Sequence, residues 1–117
     1  MTDSIRWIVK LSINEENLDE FKKIAAKLIE KTEAEPGVLG YEWFFSEDES
    51  ECCIFEWYKD SEAVLAHSAN IGDMLPTFFS LCKPLSWEIY GNASDELKAA
   101  VARSRPVYFG HWGGLSG

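Results

Sequence analysis

Two ionisable residues in the middle of the chain are of types that transfer protons. Glu56 lies between apolar residues in the run Cys-Cys-Ile-Phe-Glu-Trp-Tyr, and His67 follows in a stretch with helical character. Histidine has an unperturbed pKa of about 6.5, so it can accept a phenolic proton near neutral pH. A carboxyl group among apolar neighbours needs a partner or a raised pKa. We therefore identify His67 as a candidate base, and Glu56 as a group that orients His67 or a substrate hydroxyl.

Both residues also have structural interpretations that the sequence leaves open. His67 could be hydrogen-bonded at a helix end or at a subunit interface, with no role in chemistry. Glu56 could form a salt bridge across the fold, to Arg6, to Lys10 or to a second subunit. The catalytic interpretation requires that the helix turns His67 toward the sheet.

Aromatic side chains around these two residues are of a kind that binds flat ligands. Phe, Trp and Tyr make up 14% of the chain. Their rings stack on planar molecules, and indole N–H and phenol O–H groups can orient a ligand. The alternative is that most of these rings belong to the core or to a dimer interface. The candidate substrate-binding aromatics are Trp43, Tyr41, Tyr58 and Trp7.

Composition excludes several classes of partner. The net charge of −9 leaves no basic stripe for nucleic acid or for an anionic membrane surface. No apolar run approaches the roughly 18 residues of a membrane span, and the first residues are not the basic region of a signal peptide. The three cysteines include no Cys-x-x-Cys, so we expect free thiols and a cytoplasmic location. Two histidines and three scattered cysteines lack zinc-ligand spacing, so we expect no metal site.

The order of predicted elements is that of a ferredoxin-like fold. Residues 5–13 alternate as a strand with one buried face, and helical spacing of apolar residues follows as far as about Ala34. The order β-α-β-β-α-β with a central hairpin is the α+β split β-α-β arrangement. We expect one domain over residues 1–117, with a core of about 5–91 and a C-terminal extension of 92–117. The later predicted elements are strands at 38–46, 51–59, 85–91 and 106–112, and helices at 61–70, 74–82 and 94–103.

Both faces of the predicted hairpin are apolar, which favours a homodimer. Tyr41, Trp43 and Phe45 share one face, while Val38 and Phe44 are predicted on the other. One layer of helices covers only one face of a sheet, and a second subunit is the simplest cover for the other. The predicted last strand is expected to extend a sheet edge, which could belong to that partner.

Two motifs resemble those of a known family. They are Pro36-Gly37-Val38-Leu39-Gly40-Tyr41-Glu42, and Phe55-Glu56-Trp57-Tyr58-Lys59-Asp60-Ser61-Glu62-Ala63 with His67 following. Together, over about residues 5–91, they resemble the antibiotic biosynthesis monooxygenase (ABM) domain family. The resemblance implies a ferredoxin-like protomer that dimerises into an α+β barrel.

The resemblance also implies an activity. Characterised members include cofactor-free oxygenases of phenols and quinols, and haem-degrading enzymes. Many family helices carry a second histidine at the position that Gly72 occupies here. The haem-degrading relatives use an asparagine, a tryptophan and an axial histidine where this chain has Val9, His67 and no histidine between 68 and 110. This argues against haem degradation, and it adds Val9 to the candidate substrate-binding residues.

The leading hypothesis is a cofactor-independent monooxygenase that acts on a small aromatic or quinol substrate, with His67 as base. The alternative is a non-catalytic small-molecule-binding or assembly module on the same dimeric barrel. A third interpretation has no pocket, because tryptophan and phenylalanine side chains fill the space between sheet and helices. A cavity beside His67 would argue against the third.

Overall fold

A computed structural model describes residues 3–115, which form an α+β fold of one sheet and one layer of helices. Short 3₁₀ turns at Glu15–Asn17, Gly72–Met74 and Ala102–Ser104 join some of the elements. The strands and helices are β1 (Ile5–Ser12), α1 (Leu18–Thr32), β2 (Val38–Phe45), β3 (Glu51–Tyr58), α2 (Ser61–Ile71), α3 (Leu75–Ser80), β4 (Lys83–Tyr90), α4 (Asp95–Ala100) and β5 (Val107–Phe109).

The sheet has the order β2-β3-β1-β4-β5, and its first four strands are antiparallel. This confirms the predicted ferredoxin-like arrangement. The fifth strand lies parallel to β4, with Glu88 opposite Val107 and Tyr90 opposite Phe109, so the whole sheet is mixed. The last strand therefore extends an edge of its own chain.

The core lies between the helices and one face of the sheet. In β1 the buried residues alternate with more exposed ones, and Ile5 and Leu11 have no exposed surface. Helix α1 packs against this face of the sheet, and Phe21 and Leu28 are buried on the side of the helix that faces the strands. Helical and strand periods thus direct both apolar faces into one core, as the pattern predicts.

The turn between α1 and β2 packs closely against the start of α2. A Cβ on Gly37 would lie 2.6 Å from the Cβ of Ala63, closer than any side chain tolerates. The carbonyl of Gly37 accepts a hydrogen bond of 2.9 Å from the Lys59 N–H. Glycine at this point lets the Glu35–Pro36 segment approach the helix that carries His67.

Two local predictions differ from the structure. Val38 was expected on the face opposite Tyr41, but the register shifts between Val38 and Gly40, and Val38 packs against the core. The strand predicted at 85–91 begins earlier, at Lys83, and includes Pro84 where the pairing with β1 is irregular.

Candidate functional site

A cavity of about 270 Å³ lies between the sheet and the helices. Its walls come from all four antiparallel strands, from α1, α2 and α3, and from the C-terminal segment. The presence of this space removes the interpretation in which side chains fill it. All seven candidate residues line the cavity: His67, Glu56, Trp43, Tyr41, Tyr58, Trp7 and Val9.

Helix α2 turns His67 into this cavity. Asp60 caps the helix by accepting a hydrogen bond of 2.8 Å from the Ala63 N–H. Val64, His67 and Ile71 then share the buried face at spacings of three and four residues. The side chain of His67 is only 5% exposed, so its hydrogen-bond partners decide its chemistry.

Glu35 is the hydrogen-bond partner of Nδ1 on the His67 imidazole. His67 Nδ1 lies 2.9 Å from Glu35 Oε2, and Asn70 Nδ2 donates to the same oxygen at 2.8 Å. Asn70 also donates to the carbonyl of Lys31 at 3.1 Å, which ties this group to the end of α1. A carboxylate can only accept, so this contact favours the proton of a neutral imidazole on Nδ1. In that tautomer the lone pair of Nε2 faces the cavity.

Glu56 lies on the Nε2 side of the same ring. Its Oε1 is 3.8 Å from His67 Nε2 and accepts a hydrogen bond from the Tyr58 hydroxyl. Burial raises the pKa of Glu56 to about 7, the nearby Glu35 adds to this, and the Tyr58 hydrogen bond opposes it. Near neutral pH this carboxyl group can thus either donate or accept a proton, although 3.8 Å is too long for a direct hydrogen bond to His67.

The predicted salt bridges from Glu56 to Arg6 and Lys10 of the same chain do not form. Arg6 lies on the opposite face of the sheet, with its guanidinium 4.2 Å from the ring centre of Trp57. Lys10 shares that outer face, since it alternates with the buried residues of β1. Glu56 instead faces the helices with Tyr58, because even-numbered residues of β3 point inward.

The wall formed by β2 and β3 includes polar side chains, whereas the side chains that β1 and β4 contribute are apolar or aromatic. Tyr41 and Tyr58 contact the imidazole of His67, with ring centres 5.2 and 5.5 Å away. Burial raises the pKa of both tyrosines, so they remain neutral hydrogen-bond donors. Across the sheet, Trp7 and Trp87 meet edge to face at 5.6 Å. No lysine or arginine of the described residues lines the space, so it offers no cation to an anionic ligand.

Sequence reasoning missed Glu35 and the contribution of residues beyond 91. The available signal for Glu35 was an acidic residue directly before Pro36-Gly37, a turn that must pack closely on its surroundings. The contribution of Ala100, Val101 and Ser104 to the cavity had no local signal, because nothing in their composition distinguishes them from other residues at a helix end.

Residues 3–115 contain no cluster of side chains suited to a metal ion, and two of their three cysteines are poor nucleophiles. Within that part of the chain, no group of three or more His, Cys, Asp and Glu side chains could hold a metal ion. The three cysteines are free thiols. Burial raises the pKa of Cys52 to about 12 and that of Cys82 to about 11, so both stay protonated and poorly nucleophilic. Across the same residues, no helix is long and apolar enough to cross a membrane.

Comparison with known proteins gives the family. Residues 4–74 match the family described as Antibiotic biosynthesis monooxygenase, which is more than half of the chain. The chain belongs to this family. No curated protein matches it significantly.

Solved structures extend the likeness beyond the family region. MupZ from Pseudomonas fluorescens is 28% identical with a TM-score of 0.92, over 100% of this chain and 91% of MupZ. SnoaB, a cofactor-independent oxygenase from Streptomyces nogalater, is 13% identical with a TM-score of 0.65, over 75% of this chain and 91% of its own. Rv0793 from Mycobacterium tuberculosis is 18% identical with a TM-score of 0.69, over 79% of this chain and 97% of Rv0793. The last two share the fold alone.

Proposed function

We propose that this ABM-family protein is a cofactor-independent monooxygenase of a neutral phenol or quinol. The observation that carries the proposal is the position of His67 Nε2, which faces an aromatic-lined cavity while Glu35 contacts Nδ1 of the same ring. A base, a dry pocket and a substrate that forms a stabilised anion are sufficient for this chemistry. The likeness in fold to SnoaB is consistent with it.

In the proposed reaction, His67 Nε2 takes the proton of the substrate hydroxyl. The substrate anion gives one electron to O₂, and the resulting radical pair forms a carbon–oxygen bond. Glu56, with its pKa of about 7, protonates the outer peroxide oxygen. The Glu56 carboxylate then takes the proton from the oxygenated carbon as the O–O bond breaks and the carbonyl forms, and the His67 imidazolium gives its proton to the departing hydroxide, which leaves as water. For 1-naphthol the balance is one naphthol and one O₂ to one 1,4-naphthoquinone and one water, so the substrate supplies every electron.

Oxygen uptake tests this reaction directly. With 1-naphthol and 1,4-dihydroxynaphthalene offered without flavin or metal, we expect enzyme-dependent O₂ consumption with at least one of them. For 1-naphthol, one O₂ should be consumed for each naphthoquinone formed, with no net hydrogen peroxide. Binding that quenches tryptophan fluorescence without any O₂ uptake would favour the non-catalytic binding module instead.

We also propose that two copies pair through the outer face of the sheet, which is the dimer expected of the family. Phe44 and Phe55 remain 50% and 46% exposed on that face, and their rings meet edge to face at 5.5 Å. Beside them, the indole nitrogen of Trp57 is buried and makes no hydrogen bond within the described residues. Large exposed aromatic side chains of this kind, bordered by the charged residues Arg6, Lys10 and Glu42 of the same face, are typical of an interface.

Light scattering at micromolar concentration checks the pairing. The wild-type protein should have the mass of a dimer, and Phe55→Glu should give a monomer, because two charges would be buried against each other. Ile29→Glu, a matched change at a similarly exposed position on α1, should leave the dimer intact. A wild-type monomer would refute the proposal.

A further inference from the structure

Two polar atoms at the cavity have no hydrogen-bond partner in the described part of the chain. They are His67 Nε2 and Glu56 Oε2. Both keep some accessible surface, unlike Glu35 Oε1, Trp43 Nε1 and Trp57 Nε1, which are enclosed without a partner. Because the side chains of His67 and Glu56 are only 5% and 12% exposed and both line the cavity, this surface faces the cavity. A ligand can therefore contact both atoms.

One of these atoms is a base and the other is an acid. Glu35 accepts from Nδ1 of His67 at 2.9 Å, which favours the lone pair on Nε2. Burial raises the pKa of Glu56 to about 7, so much of this carboxyl group is neutral near neutral pH. The Tyr58 hydroxyl donates to Glu56 Oε1, so the proton of the neutral carboxyl group is on Oε2. A carboxylic acid that an apolar site keeps neutral can polarise a carbonyl group.

The spacing of this pair suits a ketone with a hydrogen on its α-carbon. Glu56 Oε1 lies 3.8 Å from His67 Nε2, so Oε2 of the same carboxyl group lies within about 6 Å of Nε2. The α-carbon and the carbonyl oxygen of a ketone are about 2.4 Å apart. A ketone between the two groups can therefore approach each of them to roughly 3 Å, the separation that proton transfer requires. A base at the carbon and an acid at the oxygen are what enolisation needs.

The charges around the cavity also favour this reaction. Removal of the α-proton alone would leave a negatively charged enolate in a space that no lysine or arginine of the described residues lines. If the acid protonates the oxygen while the base takes the proton from carbon, the ligand stays neutral. The charges then form on the His67 imidazolium and the Glu56 carboxylate, which attract each other at this short distance. Glu35 stabilises the same imidazolium from the Nδ1 side.

We propose that this protein also catalyses the enolisation of a neutral ketone that carries an aromatic ring, with His67 as base and Glu56 as acid. Nε2 takes the α-proton, the electron pair of the C–H bond forms the carbon–carbon double bond, and the π pair of the carbonyl bonds the proton of Oε2. The return of the enol to the ketone reverses each transfer, so no oxidant or reductant is consumed.

The cavity has room for such a ketone. A cavity of roughly 150 Å³ holds benzene, and the cavity here measures about 270 Å³ and is lined by aromatic rings. The reaction shares its base with the proposed oxygenase but needs neither O₂ nor a phenol.

Deuterium exchange under nitrogen tests this reaction. Phenylacetone and 2-indanone are incubated with the protein in D₂O without flavin or metal, and NMR follows the loss of their α-proton signals. The proton that His67 takes exchanges with solvent, so enolisation in D₂O labels the ketone. We expect saturable, protein-dependent exchange with at least one of the two ketones. His67→Ala should lower its rate at least about 100-fold, and Glu56→Gln at least about tenfold, since an amide can donate a hydrogen bond but cannot transfer a proton.

Two matched variants serve as controls. His111→Ala removes the exposed histidine of the tail, and Glu47→Gln changes an exposed carboxylate in the turn between β2 and β3, so both should exchange the ketones at the wild-type rate. Glu56→Gln decides the matter if His67→Ala fails to fold, because it keeps the shape of the side chain. Wild-type exchange no faster than that of buffer with both ketones would overturn the proposal, as would an unchanged rate in Glu56→Gln.

The result is separable from that of the proposed function. Exchange under nitrogen without O₂ uptake from 1-naphthol in air would retain the enolisation and refute the oxygenase. O₂ uptake without ketone exchange would refute the enolisation and retain the oxygenase.

Discussion

Replacing His67 with alanine should lower the rate of O₂ consumption by about 100-fold, because a positioned base contributes roughly 10²–10⁴ to a proton-transfer step. The variant should still bind 1-naphthol, since most of the cavity surface is aromatic and aliphatic. The measurement is initial O₂ uptake at saturating substrate, with anaerobic binding measured in parallel. His111→Ala is the matched control: it removes the other histidine, which is exposed in the tail and outside the cavity.

A conservative substitution, Glu35→Gln, tests the contribution of the Glu35 carboxylate while leaving the His67 imidazole in place. Glu35→Gln retains an acceptor oxygen for His67 Nδ1 but loses the negative charge that stabilises an imidazolium. We expect its rate to fall between those of the wild type and His67→Ala. A His67→Ala rate equal to that of the wild type would remove His67 from the mechanism.

The stability of the protein should fall as the pH rises from 5 to 8, because Glu56 is forced to ionise in a buried site. Its pKa is raised from an ordinary value of 4.5 to about 7, so the folded state holds this proton more tightly than the unfolded chain. The contribution to the free energy of unfolding is therefore complete below about pH 4.5 and is lost as the pH passes 7. At about 1.4 kcal/mol per pH unit, the loss amounts to roughly 3 kcal/mol at most.

Glu56→Gln removes this contribution while keeping the shape of the side chain. Urea unfolding at pH 5 and pH 8 should show a smaller loss of stability in Glu56→Gln than in the wild type. Glu47→Gln, a change to an exposed carboxylate in the turn between β2 and β3, should behave as the wild type. Equal slopes for the wild type and Glu56→Gln would mean that Glu56 is already ionised at pH 5.

Local patterns in the sequence were enough to predict the fold. Alternation in β1, helical spacing in α1 and the tight Pro36-Gly37 turn each follow from short-range geometry. Their order then selects the ferredoxin-like arrangement, since few ways exist to cover one sheet face with two helices. The inward position of His67 is consistent with its spacing to Val64 and Ile71.

Local patterns of this kind could not predict contacts between residues that are distant in sequence. Glu35 is 32 residues from His67 in sequence, and only the packing of Gly37 on Ala63 brings the two side chains to 2.9 Å. The pKa of Glu56 depends on how completely its surroundings exclude water, which is a property of the assembled core.

The sequence by itself thus determined the fold class and, apart from Val38, the faces assigned to the residues of β1 and β2, because these depend on periods of two or about 3.6 residues. It left open whether His67 faces the sheet. Only the tertiary structure decided that a cavity remains, that Glu35 contacts Nδ1 of His67, and that residues beyond 91 line the cavity. The physical reason is that cavities, hydrogen-bond partners and burial arise between elements distant in sequence, where local periodicity carries no information.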